Sequence, residues 1–451
     1  MSKPREHWGS KFGFILAAAG SAVGLGNIWK YPHMAGQNGG GAFTMVYLIC
    51  ILIVGLPILL AEISIGRHTQ LNPVGAFKSL SKNSNWKLVG FLGVASAFTI
   101  LSFYSVVGGW TLKYTFLALM GAFAEFSAGQ GAGEAFNQFI MNPIEPVFWH
   151  LVFMGLCILI IAQGVKSGIE RWSKILMPIL LVILLVLVFR GITLDGADEG
   201  LRFLFSPKWS DLNASSIVLA LGHAFFTISL GMGTMITYGS YMDKKSDLLQ
   251  SALWVIGLDT AIALLAGIAI FTAVFALGQN PAEGPGLIFV VLPSLFPSMA
   301  GGAIFGIMFF FLLFVAALTS AISILEVVTA YFIDEKGWSR AKATYIFGGV
   351  IGAIGIIASL SNSGYNILSP ITDMTFMDLM DKVSSKYMLP LGGMLTAVFV
   401  LVRWGISRFV DEMHVGAAWF KFSKPVVTTI FIISGIVVAY IFVRELLAVL
   451  G

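Results

Sequence analysis

Two stretches decide how this chain folds: Gly20-Ser21-Ala22-Val23-Gly24-Leu25-Gly26-Asn27 and Phe226-Thr227-Ile228-Ser229-Leu230-Gly231-Met232-Gly233. Each lies inside a long apolar run, yet each is rich in glycine and in side chains that can bond backbone groups. A glycine lowers helix stability by about 1 kcal/mol relative to alanine. The polar neighbours stand ready to satisfy any N–H or C=O that an interrupted helix releases. Both runs therefore read as broken transmembrane helices. They open two successive sets of five apolar runs, and paired Gly-interrupted segments at corresponding positions point to a midplane site between inverted repeats. The expected organisation is a first five-helix repeat over residues 1–193, a second over 194–404, and a last helix with the C-terminus over 405–451.

Composition places the chain in a bilayer. Of 451 residues 57% are apolar and 11% charged, against about 45–50% and about 25% in soluble domains. Eleven apolar runs stand at 12–35, 41–65, 88–115, 147–163, 174–193, 213–241, 249–277, 302–333, 343–360, 388–403 and 425–443, which suits spanning helices of about 20 residues. With a cytoplasmic N-terminus, 19 of the 27 Lys and Arg fall inside, among them Lys3, Lys82 and Lys166. That bias predicts a multi-pass protein of the cell membrane, N-terminus in and C-terminus out. A net charge of +4 spread over short loops argues against a nucleic-acid partner. Cys50 and Cys157 each sit in an apolar run and suggest neither a disulfide framework nor a thiolate metal site. A signal peptide over residues 1–27 would leave Asn27 and the glycines unexplained.

The polar residues inside the apolar runs carry the chemistry. Asp259 lies between Leu253-Trp254-Val255-Ile256-Gly257-Leu258 and Ala261-Ile262-Ala263-Leu264-Leu265. A carboxylate at a helix centre costs about 2.5–3.5 kcal/mol, so it must face a partner or a cavity, and hard oxygen ligands suit a small cation. The alternative is a protonated aspartic acid bonded to a neighbouring helix. Thr319 and Ser320 are adjacent hydroxyls, and Thr319 folds back over the turn that holds the Ala316 carbonyl. Tyr104 offers an aromatic face and one hydroxyl. His223 reads as a helix-contact histidine, and Glu62, one turn from Arg67, as a group that reaches water; neither Glu62 nor Glu326 is given a role. Gly168 and Pro178 flank the start of the fifth run and suggest a hinge or water path, because proline removes a helix hydrogen bond and glycine eases unwinding. No GxSxG elbow, HExxH pair or GxxxxGKS/T loop is present, so the chain does not read as an enzyme.

Taken together, Arg5, Trp8, Gly20 through Asn27, Asn38 through Phe43, Tyr104, Gly168 to Pro178, Phe226-Thr227 with Ser229, and Leu318-Thr319-Ser320 resemble the neurotransmitter:sodium symporter family over nearly the whole chain. The likeness is strongest to its bacterial amino-acid transporters. It implies an all-α integral membrane protein of eleven transmembrane helices, a LeuT-type 5+5 inverted repeat with helices 1 and 6 broken. It also implies a sodium-coupled symporter that imports hydrophobic or aromatic L-amino acids by alternating access. A non-transporting amino-acid sensor or a channel of the same fold is the alternative, separable by uphill accumulation in liposomes. The expected partners are an L-amino acid and the bilayer, with no obligatory protein partner.

The resemblance further implies two Na+ sites. The first would use the carbonyls of Ala22 and Thr227, the Asn27 side chain, the Thr227 hydroxyl and Asp259; the second, the carbonyls of Gly20, Val23 and Ala316 with the hydroxyls of Thr319 and Ser320. Relatives often carry Asn where this chain has Asp259, with chloride or a separate acid nearby, so chloride-independent transport is expected. The substrate carboxylate would meet the amides of Leu25 and Gly26 and the Tyr104 hydroxyl. Its ammonium would meet the carbonyls of Ala22, Phe226 and Thr227 and the Ser229 hydroxyl. Its side chain would face Ile100, Val107, Met232, Ser320 and Ile324 beneath a Tyr104 and Phe226 lid. Gly24 stands where monoamine-transporting members carry Asp. An outer gate would pair Lys30 with Asp381, and an inner gate Arg5 with Asp334 near Trp8 and Tyr241.

Overall fold

The computed structural model describes residues 5–81, 85–126, 131–281, 286–368, 371–417 and 421–450. Lys3 and Lys82, which belong to the cytoplasmic charge count, lie outside the described residues. Among the described residues the chain is all-α, with no strand. Nine described helices are long and apolar enough to cross a membrane: Gly41–Thr69, Lys87–Leu119, Glu145–Ala162, Val165–Ile192, Leu248–Ala276, Gly302–Lys336, Arg340–Leu360, Phe376–Trp404 and Lys424–Arg444. Lys11–Ala22 and Gly26–Gln37 make a tenth span bent by 45°. The expected sixth run is two short helices, Ala214–Thr227 and Thr234–Gly239, with residues 228–233 between them outside any helix.

Two helix starts differ from the apolar runs. The fifth begins at Val165, through a wide π-helical turn Val165–Glu170, so Gly168 and Pro178 lie within the helix and do not flank it. The tenth expected run begins at Phe376 and not near 388. Both early turns are charged, Lys166 to Arg171 and Asp378 to Lys386, and a search for apolar runs passes over them. The short helices Pro73–Ser81, Ala132–Met141, Ala197–Phe205 and Ile406–His414 lie in the connections between spans.

The Gly302–Lys336 helix runs through the centre and packs against Lys87–Leu119, Val165–Ile192, Glu145–Ala162 and the first helix. Its middle carries Ala316, Thr319, Ser320, Ser323 and Ile324, all buried. The Leu56–Thr69 half of the second span meets the Thr234–Gly239 half of the sixth at two glycines. A Cβ on Gly239 would come 2.5 Å from the Ile63 carbonyl oxygen, and one on Gly66 would lie 2.8 Å from the Ser240 amide nitrogen and overlap the Ile236 carbonyl. Backbone touches backbone there.

At the end of that second span, Arg67 does not serve Glu62. Its fully buried guanidinium donates to Glu412 Oε1 at 2.7 Å and to the carbonyls of Ser246 and Val415, which ties two connections to the span. His68 Nδ1 lies 2.7 Å from Glu412 Oε2. Burial would raise the Glu412 carboxyl, but the hydrogen bond to His68 and the charge of Arg67 outweigh it and hold the group below its usual range. A carboxyl depressed in the folded state stabilises fully above its unfolded pKa of about 4.3, and that stabilisation is lost as pH falls through the lower folded value. Thermal stability is therefore expected to drop below about pH 4.3. Arg67→Met should lower the neutral-pH melting temperature and shrink the acid-dependent part, which thermal melts across the acid range would read.

Candidate functional site

The two helix breaks lie side by side at the centre of the molecule. Val23 leaves the first helix in an extended conformation (φ −74°, ψ 102°), and the chain turns into Gly26–Gln37 within three residues. In the sixth span Ser229, Gly231 and Gly233 all have positive φ, at 56°, 76° and 76°. The glycines supply that region freely, and Ser229 adopts it under local hydrogen bonding. Its hydroxyl donates to the Ser21 carbonyl at 2.9 Å, so one break braces the other.

Around these breaks two oxygen clusters form. In the first, Asn27 Nδ2 donates to Asp259 Oδ1 at 2.7 Å and to the Asp259 carbonyl at 3.0 Å, while Asn27 Oδ1 accepts from the Gly24 amide. Tyr47 places its hydroxyl 3.3 Å from Thr227 Oγ1 and 3.5 Å from Asp259 Oδ2. Asn27 and Asp259 are wholly buried, and a buried carboxylate needs such partners or a bound cation. In the second, Ser320 Oγ lies 3.4 Å from the Gly20 carbonyl, 3.0 Å from that of Ser21 and 3.3 Å from that of Val23. Thr319 Oγ1 lies 3.1 Å from the carbonyls of Val315 and Ala316. Among the described residues no group of three or more His, Cys, Asp and Glu could hold a metal. Carbonyls and hydroxyls with at most one carboxylate are the donor set of a weakly bound hard cation, not of a transition metal.

Between the clusters lies a cavity. The first break lines it with Ala22, Gly24 and Gly26, the sixth span with Phe226, Thr227, Ser229 and Met232, and the scaffold with Ile100, Tyr104, Ser320 and Ile324. The Tyr104 hydroxyl accepts from the Leu25 amide at 3.2 Å. Of the expected side-chain pocket, Val107 is the exception: it is buried one turn beyond Tyr104 and does not line the cavity. Ser21 lines it unexpectedly, and its hydroxyl donates to Ser229 Oγ at 3.1 Å and lies 2.7 Å from Ser323 Oγ.

Ion pairs close both ends. On one side Lys30 Nζ lies 2.9 Å from Asp381 Oδ1 and 4.3 Å from the centre of the Phe226 ring, which roofs the cavity. Beyond this pair opens a vestibule of about 510 Å³, lined in part by His33, His223, Asp378 and Lys382. His223 stacks near Tyr31 and Tyr47, and among the described residues its ring nitrogens have no hydrogen-bond partner, unlike the satisfied contact histidine expected. On the opposite side Arg5 pairs with Asp334, donates to Ser240 Oγ and lies over the Tyr241 ring at 4.8 Å. Trp8 donates from its ring to the Tyr238 carbonyl at 3.0 Å and meets Tyr241 edge-on.

Several participants escape a reading of the sequence. Glu62 does not reach water: it is buried, and its Oε1 accepts from the Gly231 amide at 2.8 Å, capping a backbone group freed by the sixth-span break. Its position next to a conspicuous Arg67 conceals this, since the two side chains diverge. Glu326 accepts from Tyr241 and Arg340, at 2.6 and 2.7 Å, and Arg340 also binds Glu6. Only the rarity of buried carboxylates could have flagged either acid. Tyr47 carries no signal of its own.

A family profile described as the Sodium:neurotransmitter symporter family matches residues 5–129 and 138–450. The chain is 42% identical over 412 residues to the uncharacterized sodium-dependent transporter YhdH of Bacillus subtilis, covering 91% of this chain and 90% of that protein. It is 34% identical over 411 residues to an uncharacterized sodium-dependent transporter of Haemophilus influenzae, covering 88% and 89%. Among solved structures it is similar to MhsT in complex with L-phenylalanine, with 47% identity, a TM-score of 0.90, and coverage of 98% of this chain and 99% of that one.

Proposed function

Because this chain belongs to the sodium:neurotransmitter symporter family, whose members are transporters and not enzymes, we propose that it imports hydrophobic and aromatic L-amino acids together with sodium and without chloride. The observation that carries this reading is the pair of oxygen clusters flanking one gated cavity. One Na+ would be held by Ala22, Asn27, Thr227 and Asp259, the other by Gly20, Val23, Ala316, Thr319 and Ser320. The substrate carboxylate would meet the Leu25 and Gly26 amides at a half-helix N-terminus, where backbone N–H groups attract an anion. Eleven spans, an N-in, C-out orientation in the cell membrane and the 1–193, 194–404 and 405–451 division belong to the same proposal.

Coupling supplies the driving force. Two Na+ moving down a potential of about 100 mV release about 4.6 kcal/mol, and two tenfold gradients add about 2.8. Tight coupling would then sustain roughly 10⁵-fold accumulation of a zwitterion.

The cavity lining supports the substrate class. Among the described residues it carries no charged side chain, so Asp, Glu, Lys or Arg would be buried unpaired at several kcal/mol, whereas an apolar side chain gains about 25 cal/mol per Å² buried. Met232 is an adaptable filler between two glycines. Trp, Tyr, Phe and Leu are therefore expected to compete better than Gly or Ala against labelled Trp in sodium-dependent uptake. Met232→Phe should penalise Trp more than Leu by about tenfold, the weight of one or two methylenes. Superior competition by Gly or Ala would refute the substrate class, and uptake that collapses in gluconate would refute chloride independence.

Pro178 leaves one helix carbonyl without its usual amide inside the fifth span, which makes local opening toward the second cation cluster less costly. Pro178→Ala is expected to slow sodium release severalfold. Unchanged release and unchanged hydrogen exchange over 165–178 would reduce the residue to a simple kink.

A further inference from the structure

The segment before the first helix and the start of the fifth span hold each other through two carboxylates that no role above employs. Glu170, only 2% exposed in its side chain, accepts from the Gly9 amide at 2.6 Å and the Ser10 hydroxyl at 3.2 Å. These groups form the N-terminus of Lys11–Ala22, where Ser10 is the N-cap and takes the Gly13 amide at 3.0 Å. In the other direction, Glu6 Oε2 accepts from the Val165 amide at 2.6 Å, the first N–H of the turn that contains Glu170. Each segment thus supplies an anion to the other's helix start, the position where helix dipole and unpaired N–H groups favour one.

The fit is close on both sides. A Cβ on Gly13 would overlap the Glu170 carboxyl, and one on Gly164, at φ 99°, would come 3.1 Å from Glu6 Oε2. Lys174 completes Glu170, and Arg340 binds Glu6 Oε1 at 2.8 Å. Between the two caps, the Trp8 amide donates to the Tyr241 carbonyl at 3.1 Å, so the clasped segment is the one that carries the Arg5 ion pair.

We infer that Glu6 and Glu170 are positioning residues that make release of the 5–10 segment and opening of the 165–178 turn a single step. Unwinding 165–170 withdraws Glu170 from the first helix, and lifting residues 5–10 withdraws Glu6 from the fifth. Neither motion leaves the other's helix start capped. This rests on the symporter reading above, because the first helix ends in the Gly20 and Val23 carbonyls proposed to hold sodium. Loss of that cation and opening of the inner gate then share one barrier.

The test is hydrogen exchange on the full chain in lipid nanodiscs, reading residues 9–16 and 165–173 across a sodium titration against potassium. The two segments are expected to gain protection with the same sodium midpoint. Glu6→Gln and Glu170→Gln should each speed exchange in both segments, by about tenfold for the loss of a charge-assisted hydrogen bond. The double variant should do no more than the stronger single one. Glu170→Asp, which keeps the charge, should restore part of the protection. Separate midpoints in the parent protein, or strictly local and additive effects of the variants, would overturn the clasp. If sodium protected neither segment, the symporter reading would fall, while the cross-effects of Glu6→Gln and Glu170→Gln would still decide the clasp.

Discussion

Asparagine in place of Asp259 is expected to weaken sodium-dependent substrate binding about ten- to a hundredfold, the weight of one charge-assisted interaction in a buried site. Asp259 is wholly buried, receives Asn27 Nδ2 at 2.7 Å and faces Tyr47 on its other oxygen. Among the described residues no basic side chain pairs with it, so the charge that would balance it is the cation's own. An amide keeps the shape and removes the charge. Chloride should then partly restore binding to Asp259→Asn while it leaves the parent unaffected. Binding that stays within threefold of the parent, on the order of 0.6 kcal/mol, would remove Asp259 from the cation site.

Alanine at Gly24 is expected to be nearly as damaging, although it adds only one methyl group. Its Cβ would stand 2.8 Å from the Tyr104 hydroxyl and 3.1 Å from Ser320 Cβ, and would overlap the Ser320 hydroxyl. Relief requires either a shift of the helix break or displacement of the Tyr104 and Ser320 hydroxyls, which belong to the cavity wall and the second oxygen cluster. Strain of about 1–3 kcal/mol in a packed core translates to as much as a hundredfold in affinity, and substrate and sodium should weaken together. Gly257→Ala is the control: nothing lies within 4 Å of that Cβ, and transport should be unchanged. Equal behaviour of the two variants in a sodium-dependent binding assay would refute the geometric argument.

The broken helices are legible because glycine and hydroxyl residues inside apolar runs violate what a buried helix needs. The 45° bend at 23–25 and the positive φ at Ser229, Gly231 and Gly233 fall within the stretches 20–27 and 226–233. The grouping of Thr319 with the Ala316 carbonyl follows from helix geometry within one turn. What stays hidden depends on pairings between distant segments. Glu62 meets Gly231 from 169 positions away, and Glu170 meets Gly9 from 161. Val107 enters the expected pocket only by likeness: it shares the helix face of Ile100 and Tyr104 but lies one turn further along, past the cavity. The helix starts at 165 and 376 escape because charged turns continue a helix without continuing an apolar run.

The glycine contact between the second span and the Thr234–Gly239 half of the sixth has a mechanical consequence. Where Gly239 meets Ile63 and Gly66 meets Ile236, no side-chain layer exists to act as a lubricant, so the two segments cannot slide or roll past each other without a collision of main chains. A movement of either would carry the other as one lever arm. Any displacement of Thr234–Gly239 would carry Glu62 and Arg67 with it, and the change in backbone angle would fall on 228–233, the non-helical stretch whose Ser229 and Met232 line the cavity. A ligand held against this stretch would therefore act on the pivot of that arm and not on its load.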